Sequence, residues 1–401
     1  MEISVNELFS GIGAQVAALK RNGVKFKVVG ISEIDKYAIQ SYEAINGKTR
    51  NYGDISKVER LDYADLWTYS FPCTDISLAG KQEGLTDKTG KQTRSGLLFE
   101  VERLLKKSVE DGNQPKYLLL ENVKNLVGKK FKPDFDKWLS TLEDLGYNNY
   151  WKVLNSKDYG VPQNRERVFA VSIRKDVDAH GYTFPEPFKL ERRLKDVLEK
   201  NVDEKFYLKQ DLVKSFVERL SKREISNKIR CGCSGSIDQK HTWDLVAEPA
   251  IIQNPHGFNK GGIIKDNVAP TITSNGSYHL NNFVCNKPQI KLVGNAYYPD
   301  KGYGTGYAGA TYDTSGIAAT LTTMGGGNRE PCVLEKCHSN GVRIRKLTPK
   351  ECWRLMNFTD EEYEAAEKAG VSKTQLYKQA GNSIVVSCLV HIFKELFKDA
   401  K

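Results

Sequence analysis

The sequence predicts an α/β protein: a doubly wound, mostly parallel sheet with helices on both faces, joined to a second, smaller β-rich domain. Three observations predict it. Strand-length apolar runs alternate with helix-length stretches over the first 175 or so residues. A glycine turn links the first run to the first helical stretch. Between about 231 and 340 the chain becomes rich in Gly, Asn, Thr and Tyr, which suits short strands and loops.

The strand-length runs are residues 3–8, 27–31, 66–70, 117–120 and 168–173. Helix-length stretches at 14–21, 36–45, 96–107 and 134–145 separate them. This βαβα order implies parallel strands with crossover helices. Residues 190–230 are charge-dense and read as helical, through Leu194, Val197, Leu198, Leu212, Phe216 and Leu220. An internal echo follows: residues 269–274 resemble residues 318–323 at an offset of 49 positions, suggesting two similar β units. Helical periodicity returns from Thr348. The expected division is 1–184, 185–342 and 343–401, the last segment returning to pack beside the first.

Composition narrows the function. With 401 residues the chain exceeds what one compact core usually holds. At 39 % hydrophobic and 27 % charged it is globular rather than disordered. No apolar run approaches the ~18 residues of a membrane span; the longest, 384–393, is broken by Ser387 and His391. The amino end shows no basic signal-peptide region, and eight scattered cysteines suit a reducing compartment. A cytoplasmic enzyme or binder is therefore expected, without membrane contact. The net charge of +10 suggests a polyanionic partner such as nucleic acid.

The first predicted strand runs into Phe9-Ser10-Gly11-Ile12-Gly13-Ala14. A strand–glycine turn–helix unit offers backbone N–H groups to a nucleotide-like ligand. Glu33 lies twenty positions beyond Gly13, at the next strand end, where an acid can accept from ribose hydroxyls. Asp54, in Gly53-Asp54-Ile55, could reach an adenine amino group. Two glycines rather than three favour a nucleoside without a pyrophosphate, and they count against a dehydrogenase.

Pro72-Cys73-Thr74-Asp75-Ile76-Ser77 follows another strand end. Read alone, Cys73 is more often a small buried packing residue; as a nucleophile it needs a dry pocket, a helix N-terminus or a nearby cation. Glu121-Asn122-Val123 ends the buried run Tyr117-Leu118-Leu119-Leu120, so Glu121 does not read as solvated surface; Asn122 could serve as a helix N-cap. Gln163-Asn164-Arg165-Glu166-Arg167 directly precedes the last strand; alone, two arginines at i, i+2 suit a solvated edge or a salt-bridge pair.

Together these residues resemble the C5 cytosine-specific DNA methyltransferase family. The resemblance covers about the first 175 residues and the last 60. It rests on Phe9-x-Gly11-x-Gly13, Pro72-Cys73, Glu121-Asn122-Val123, Gln163-x-Arg165-x-Arg167, Arg345-Lys346-Leu347-Thr348 with Glu351 and Phe358, and Gln379-x-Gly381-Asn382-Ser383.

The resemblance implies the S-adenosylmethionine-dependent methyltransferase fold, with S-adenosyl-L-methionine as cofactor. Phe9, Gly11, Ile12, Gly13 and Pro72 would line its site, Glu33 would hold the ribose, and Ile34 would face the adenine. Asp54 would meet the adenine amino group with Ile55 and Leu98 nearby; Asn382, Ser383 and Ile384 would close the site. Cys73 would attack C6 of a cytosine flipped out of duplex DNA, so that C5 accepts the methyl group. Glu121 would bond the base's N3 edge, Arg167 its O2, and Arg165 would brace Glu121 or a phosphate. One departure stands out: Thr74 occupies the place where the family usually has Gln.

Residues 185–342 occupy the position of the family's target-recognition domain. Asn275, His279, Asn328 and Arg329, with Thr74 and Ser77, are the candidate DNA contacts. Cys231-x-Cys233 and Cys332 with Cys337-His338 fit neither a paired CxxC ribbon nor a zinc finger, so no metal is expected. The resemblance implies double-stranded DNA as the partner, the chain is expected to act as a monomer, and any cognate restriction endonuclease would be a separate chain. An RNA cytosine methyltransferase of the same fold and a non-catalytic DNA-binding regulator are the alternatives. The long insertion between Arg167 and Arg345 favours duplex DNA, and an intact Cys73, Glu121, Arg165 and Arg167 favours an enzyme.

Overall fold

A computed structural model describes residues 2–76, 83–86, 92–211, 213–214, 250–253, 262–264, 282–285, 292–295, 310–323, 330–336 and 342–398. The chain divides into two units, 1–192 with 320–327 and 348–401, and 193–319 with 328–347. Residues 320–323 thus cluster with the first unit, although the sequence reading places them in the 185–342 segment.

The first unit is built on six strands: β1 (Ile3–Leu8), β2 (Phe26–Ser32), β3 (Leu66–Tyr69), β4 (Tyr117–Val123), β5 (Tyr147–Asn155) and β6 (Glu166–Arg174). Their order is β2-β1-β3-β4-β6-β5. β2, β1, β3 and β4 run parallel, whereas β6 is antiparallel to both its neighbours. The expected mostly parallel sheet is present. α1 (Ala14–Asn22), α2 (Lys36–Asn46), α3 (Leu98–Glu110) and α4 (Lys132–Asp144) connect the early strands. α5 (Pro349–Leu355), α6 (Asp360–Lys368), α7 (Lys373–Asn382) and α8 (Val386–Leu396) complete the unit.

Strand alternation sorts the side chains onto the two faces. Leu8, Trp67, Tyr69, Leu118, Leu120 and Val168 pack with Val101, Leu104 and Leu105 of α3 and Phe135 and Trp138 of α4. The residues between them face α1 and α2, where Val16, Ile31 and Tyr42 form a smaller apolar cluster. The C-terminal helices pack on that side: α8 lies against α1, and α6 against α2. The Asn22 side chain bonds Val390 O at 2.8 Å, and the Ser41 hydroxyl bonds Gln379 Oε1 at 3.0 Å.

The sheet's direction decides where chemistry can gather. Strand order reverses between β1 and β3, which opens a crevice at their carboxyl ends. Because β6 runs antiparallel, its amino end lies at that same edge, with Arg167 opposite Val123 of β4.

Among the described residues, the second unit holds two small sheets. One orders β10 (Leu292–Asn295), β11 (Ala310–Asp313), β12 (Cys332–Lys336) and β13 (Val342–Lys346); the other orders β8 (Gly262–Ile264), β7 (Ala250–Gln253) and β9 (Asn282–Cys285). Arg345 is enclosed and pairs with Glu335 at 2.7 Å across β12–β13. Of the helix expected over 190–230, the described residues show only its later part, at 210–211 and 213–214, where Val213 N–H donates to Lys209 O at 3.2 Å. Leu194–Val197 and Glu204–Phe206 are single 3-10 turns, and 194–195 bond the backbone of Gly316 and Thr314 instead. Leu212, Phe216 and Leu220 lie outside the described residues, as does the 269–274 copy of the echo; residues 318–323 form no named strand.

Candidate active site

The loop after β3 is fastened on both sides of Cys73. The Asn122 amide donates to Phe71 O at 3.0 Å, and the Asn125 amide donates to Ile76 O at 2.5 Å. Between them, Asp75 N–H donates to Ser95 Oγ and Ser95 N–H to Asp75 Oδ2, each at 3.1 Å. Cys73 is a half-buried free thiol held by this frame. Asn122 is therefore a strand-end anchor and not the helix N-cap its type allows. Thr74 is exposed, its hydroxyl donating to Asp75 Oδ2 at 3.2 Å.

Glu121 is buried near the end of β4. Arg167 Nε lies 3.3 Å from Glu121 Oε1, and Arg167 Nη1 donates to Glu166 O at 2.8 Å. Burial pushes the Glu121 carboxyl up, opposed by Arg167, Arg165 and a hydrogen bond from Ser70. Burial also pushes the Cys73 thiol up, aided by the Glu121 charge and opposed by Arg167 and Arg165. In the free protein Cys73 is thus held mainly as the thiol.

Alternation separates Arg165 and Arg167 from Glu166, whose carboxylate pairs with Lys124 at the surface. Arg165 differs from its expected role. It is 3 % exposed, and its terminal nitrogens donate to Leu321 O at 3.1 Å, Gly381 O at 3.0 Å and Ser383 O at 2.8 Å. It neither bonds Glu121 nor faces solvent where a phosphate could reach it. Instead it joins the 320–323 segment to the end of α7, beside Glu121 and Cys73. Burial lowers its pKa to about 9, still well above neutrality, so it remains a cation. The same junction explains Gly381, where a Cβ would fall 2.1 Å from Thr322 O.

The glycine loop follows β1. Phe9 has φ +59°, a backbone conformation that non-glycine residues adopt only under constraint. Gly11 N–H donates to Glu33 Oε2 at 2.9 Å, while Ile34 and Asp35 N–H donate to Glu33 Oε1 at 2.8 Å. Asn51 ties the next loop to this one: its amide bonds Glu33 O at 3.0 Å and its Oδ1 accepts from Gly53 N–H at 2.9 Å. Ile34 is 74 % exposed beside this network. Asp54 accepts from Ser56 N–H and Oγ, at 3.0 and 2.7 Å. Ile12, Ile55 and Leu98 are buried, as is Ile384; Pro72 is half-buried and Asn382 exposed.

These residues suit an adenosyl cofactor. Ser10 Oγ, inside the loop, is 4 % exposed yet has no hydrogen-bond partner among the described residues. A Cβ on Gly11 would enter open space, so the loop has room for a ligand's approach. Glu33, though bonded to three amides, keeps acceptor capacity for hydroxyl groups.

The structure thus brings Cys73, Glu121, Arg165 and Arg167 to one sheet edge, and ties the glycine loop to Glu33, and Glu33 through Asn51 to Gly53, the neighbour of Asp54. Ser77, Asn275, His279, Asn328 and Arg329 lie outside the described residues, as do Cys231, Cys233, Cys337 and His338. Sequence reasoning missed Asn51, Ser95 and Asn125. Their signal, an Asn or Ser beside a predicted turn, is common to many loops.

The sequence matches the profile of the C-5 cytosine-specific DNA methylase family over residues 3–398. The chain belongs to this family. It is similar to the orphan methyltransferase M.SPBetaI of Bacillus phage SPbeta, at 33 % identity over 98 % of this chain and 97 % of that protein. It is also similar to the type II methyltransferase M.HhaI of Haemophilus parahaemolyticus, at 30 % identity over 96 % of this chain and 91 % of that one. A solved structure of the Entamoeba histolytica methyltransferase EhMeth superposes with TM-score 0.62 at 14 % identity, covering 100 % of this chain and 99 % of that chain. A putative DNA modification methyltransferase from an E. coli prophage gives TM-score 0.57 at 19 % identity, covering 99 % of each. The chain is therefore a DNA methyltransferase of the C-5 cytosine family. No helix among the described residues is long and apolar enough to cross a membrane.

Proposed function

We propose that this enzyme transfers a methyl group from S-adenosylmethionine to C5 of a flipped-out cytosine in a specific duplex DNA site, through a covalent Cys73–C6 bond. The observation that carries this reading is the meeting of Cys73, Glu121 and Arg167 at one strand edge, with Glu121 and Arg167 3.3 Å apart.

S-adenosylmethionine supplies an electrophilic methyl group on a sulfonium, and Phe9–Gly13, Glu33, Ile34, Asp54, Ile55, Pro72, Leu98 and residues 382–384 would hold it. Cytosine C5 is too weak a nucleophile to take that group unaided. The Cys73 thiolate, its proton given up to water, attacks C6, and the C5–C6 π pair moves toward C5 and N3. Glu121, kept above the usual carboxylate range by burial, gives a hydrogen bond to N3 as charge develops there. Arg167 holds the cytosine O2 and Glu121 together. After methylation, loss of the C5 proton returns the pair to the ring and breaks the Sγ–C6 bond. The base must first leave the stack, which costs a few kcal/mol that pocket and backbone contacts offset.

Arg165 supports this site without touching the substrate. The second unit would supply target recognition, with Asn275, His279, Asn328 and Arg329 as candidate contacts alongside Thr74 and Ser77. The domain assignment of 1–184, 185–342 and 343–401 follows the same reading. Acting in the cytoplasm as a monomer, the enzyme would serve either beside a separate restriction endonuclease or alone, since its relatives include type II and orphan methyltransferases.

Bisulfite sequencing of DNA from cells expressing the chain tests this directly. Protected cytosines at one recurrent motif support the proposal. Full conversion everywhere, or methylation found only on transfer RNA, contradicts it.

A further inference from the structure

β1 carries a carboxylate deep in the apolar interior. Glu7 is fully enclosed two residues before the glycine loop. Its Oε1 accepts from Val16 N–H, in the first turn of α1, at 3.3 Å. Its Oε2 accepts from Tyr42 Oη, on α2, at 2.5 Å. Tyr42 also fills the space beside Gly13, where a Cβ would approach its ring to 2.9 Å. One side chain therefore connects the strand before the loop, the helix after it and the ring beside it.

We propose that Glu7 is a positioning residue for the glycine loop, and that affinity for an adenosyl cofactor varies with its protonation. This rests on the cofactor reading given above. The ionised carboxylate accepts both bonds and suits the positive end of α1. Once protonated it must donate to Tyr42 Oη, whose own O–H makes no other hydrogen bond among the described residues. The α1 end loses its anion at the same time.

The groups facing Glu7 are few. Tyr42 comes from α2 and Lys20 from α1, the latter bonded to Asn46 Oδ1 at 2.7 Å. The flanking strands place Ile31 and Thr68 beside it, neither titratable. Burial raises the Glu7 carboxyl to about 7, opposed by the Tyr42, Val16 and Lys20 interactions. Its charge therefore changes near neutrality.

Isothermal titration calorimetry of S-adenosylhomocysteine with the full chain, from about pH 6 to about pH 8.5, tests the proposal. Wild-type affinity should weaken about three- to tenfold toward the acid end, and Glu7→Gln should flatten that profile. Tyr42→Phe, which removes a bond that favours the anion, should move the wild-type midpoint to higher pH. Binding with superimposable profiles for wild type and Glu7→Gln overturns this proposal alone. No binding by the wild type at any pH overturns the cofactor reading and this proposal with it.

Discussion

Arg167 Nε stands 3.3 Å from Glu121 Oε1, on neighbouring strands that run in opposite directions. The pairing depends on that reversal: a parallel β6 would carry Arg167 to the far edge of the sheet. A buried carboxylate facing a guanidinium at the strand ends is costly to leave unpaired, so each residue constrains the other.

Removing Arg167 should therefore disable chemistry and also cost stability. Arg167→Ala is expected to reduce kcat/KM by about 100-fold or more, and to lower Tm because the buried Glu121 carboxylate loses its partner. Arg167→Lys should recover only part of that loss, because a single ammonium cannot reproduce the planar fork. Near-wild-type kinetics in Arg167→Ala would count against its contact with the base.

The charges around Cys73 set when its thiolate forms. Mass-spectrometric mapping of iodoacetamide labelling at Cys73 should show reactivity still rising above the ordinary thiol range, since burial and Glu121 push its pKa up. Glu121→Gln removes a repelling charge and should move the curve to lower pH; Arg167→Ala should move it higher. Cys388, pushed up to about 12 by burial, should label far more slowly in the folded protein. Identical curves for the two variants would contradict this electrostatic account.

Arg165 supports three backbone carbonyls, so its loss should appear first in stability. Leaving a buried acceptor unsatisfied costs ~1–3 kcal/mol. Arg165→Ala should lower Tm by several degrees, and Gly381→Ala should do the same through its clash with Thr322 O. A Tm unchanged in both would show that the junction is not held as described.

Glu7 links stability to pH with a definite sign. Its carboxyl is raised from 4.5 to about 7 on folding, so the native state takes up the proton more readily than the unfolded chain. Its contribution is full below about 4.5 and is lost as pH rises through about 7. Glu7→Gln should therefore melt higher relative to wild type at neutral pH than under mild acid. The opposite trend would contradict the burial argument.

Much of this architecture was legible because parallel strands are buried on both faces and read as apolar runs. β1, β3 and β4 stand out for that reason, and their carboxyl ends carry Phe9–Gly13, Cys73 and Glu121. β5 did not stand out: its residues Asn148, Asn149 and Lys152 belong to a half-exposed edge strand without a continuous apolar run. The direction of β6 was hidden too, since it depends on the short turn at Ser156–Tyr159 replacing a crossover helix. Arg165 read as an exposed or phosphate-facing cation because nothing local announces that Leu321, Gly381 and Ser383 turn their carbonyls toward it. Long-range backbone acceptors leave no periodic mark in a sequence.

The covalent step is tested most directly with duplex DNA carrying 5-fluorocytosine at the target, incubated with the enzyme and S-adenosylmethionine. Fluorine cannot depart from C5 as a proton does, so wild type should accumulate a denaturation-resistant adduct mapping to Cys73, and Cys73→Ala should form none. Methyl transfer to ordinary target DNA without any trapped adduct on the fluorinated duplex, or with an adduct on another residue, would contradict the account.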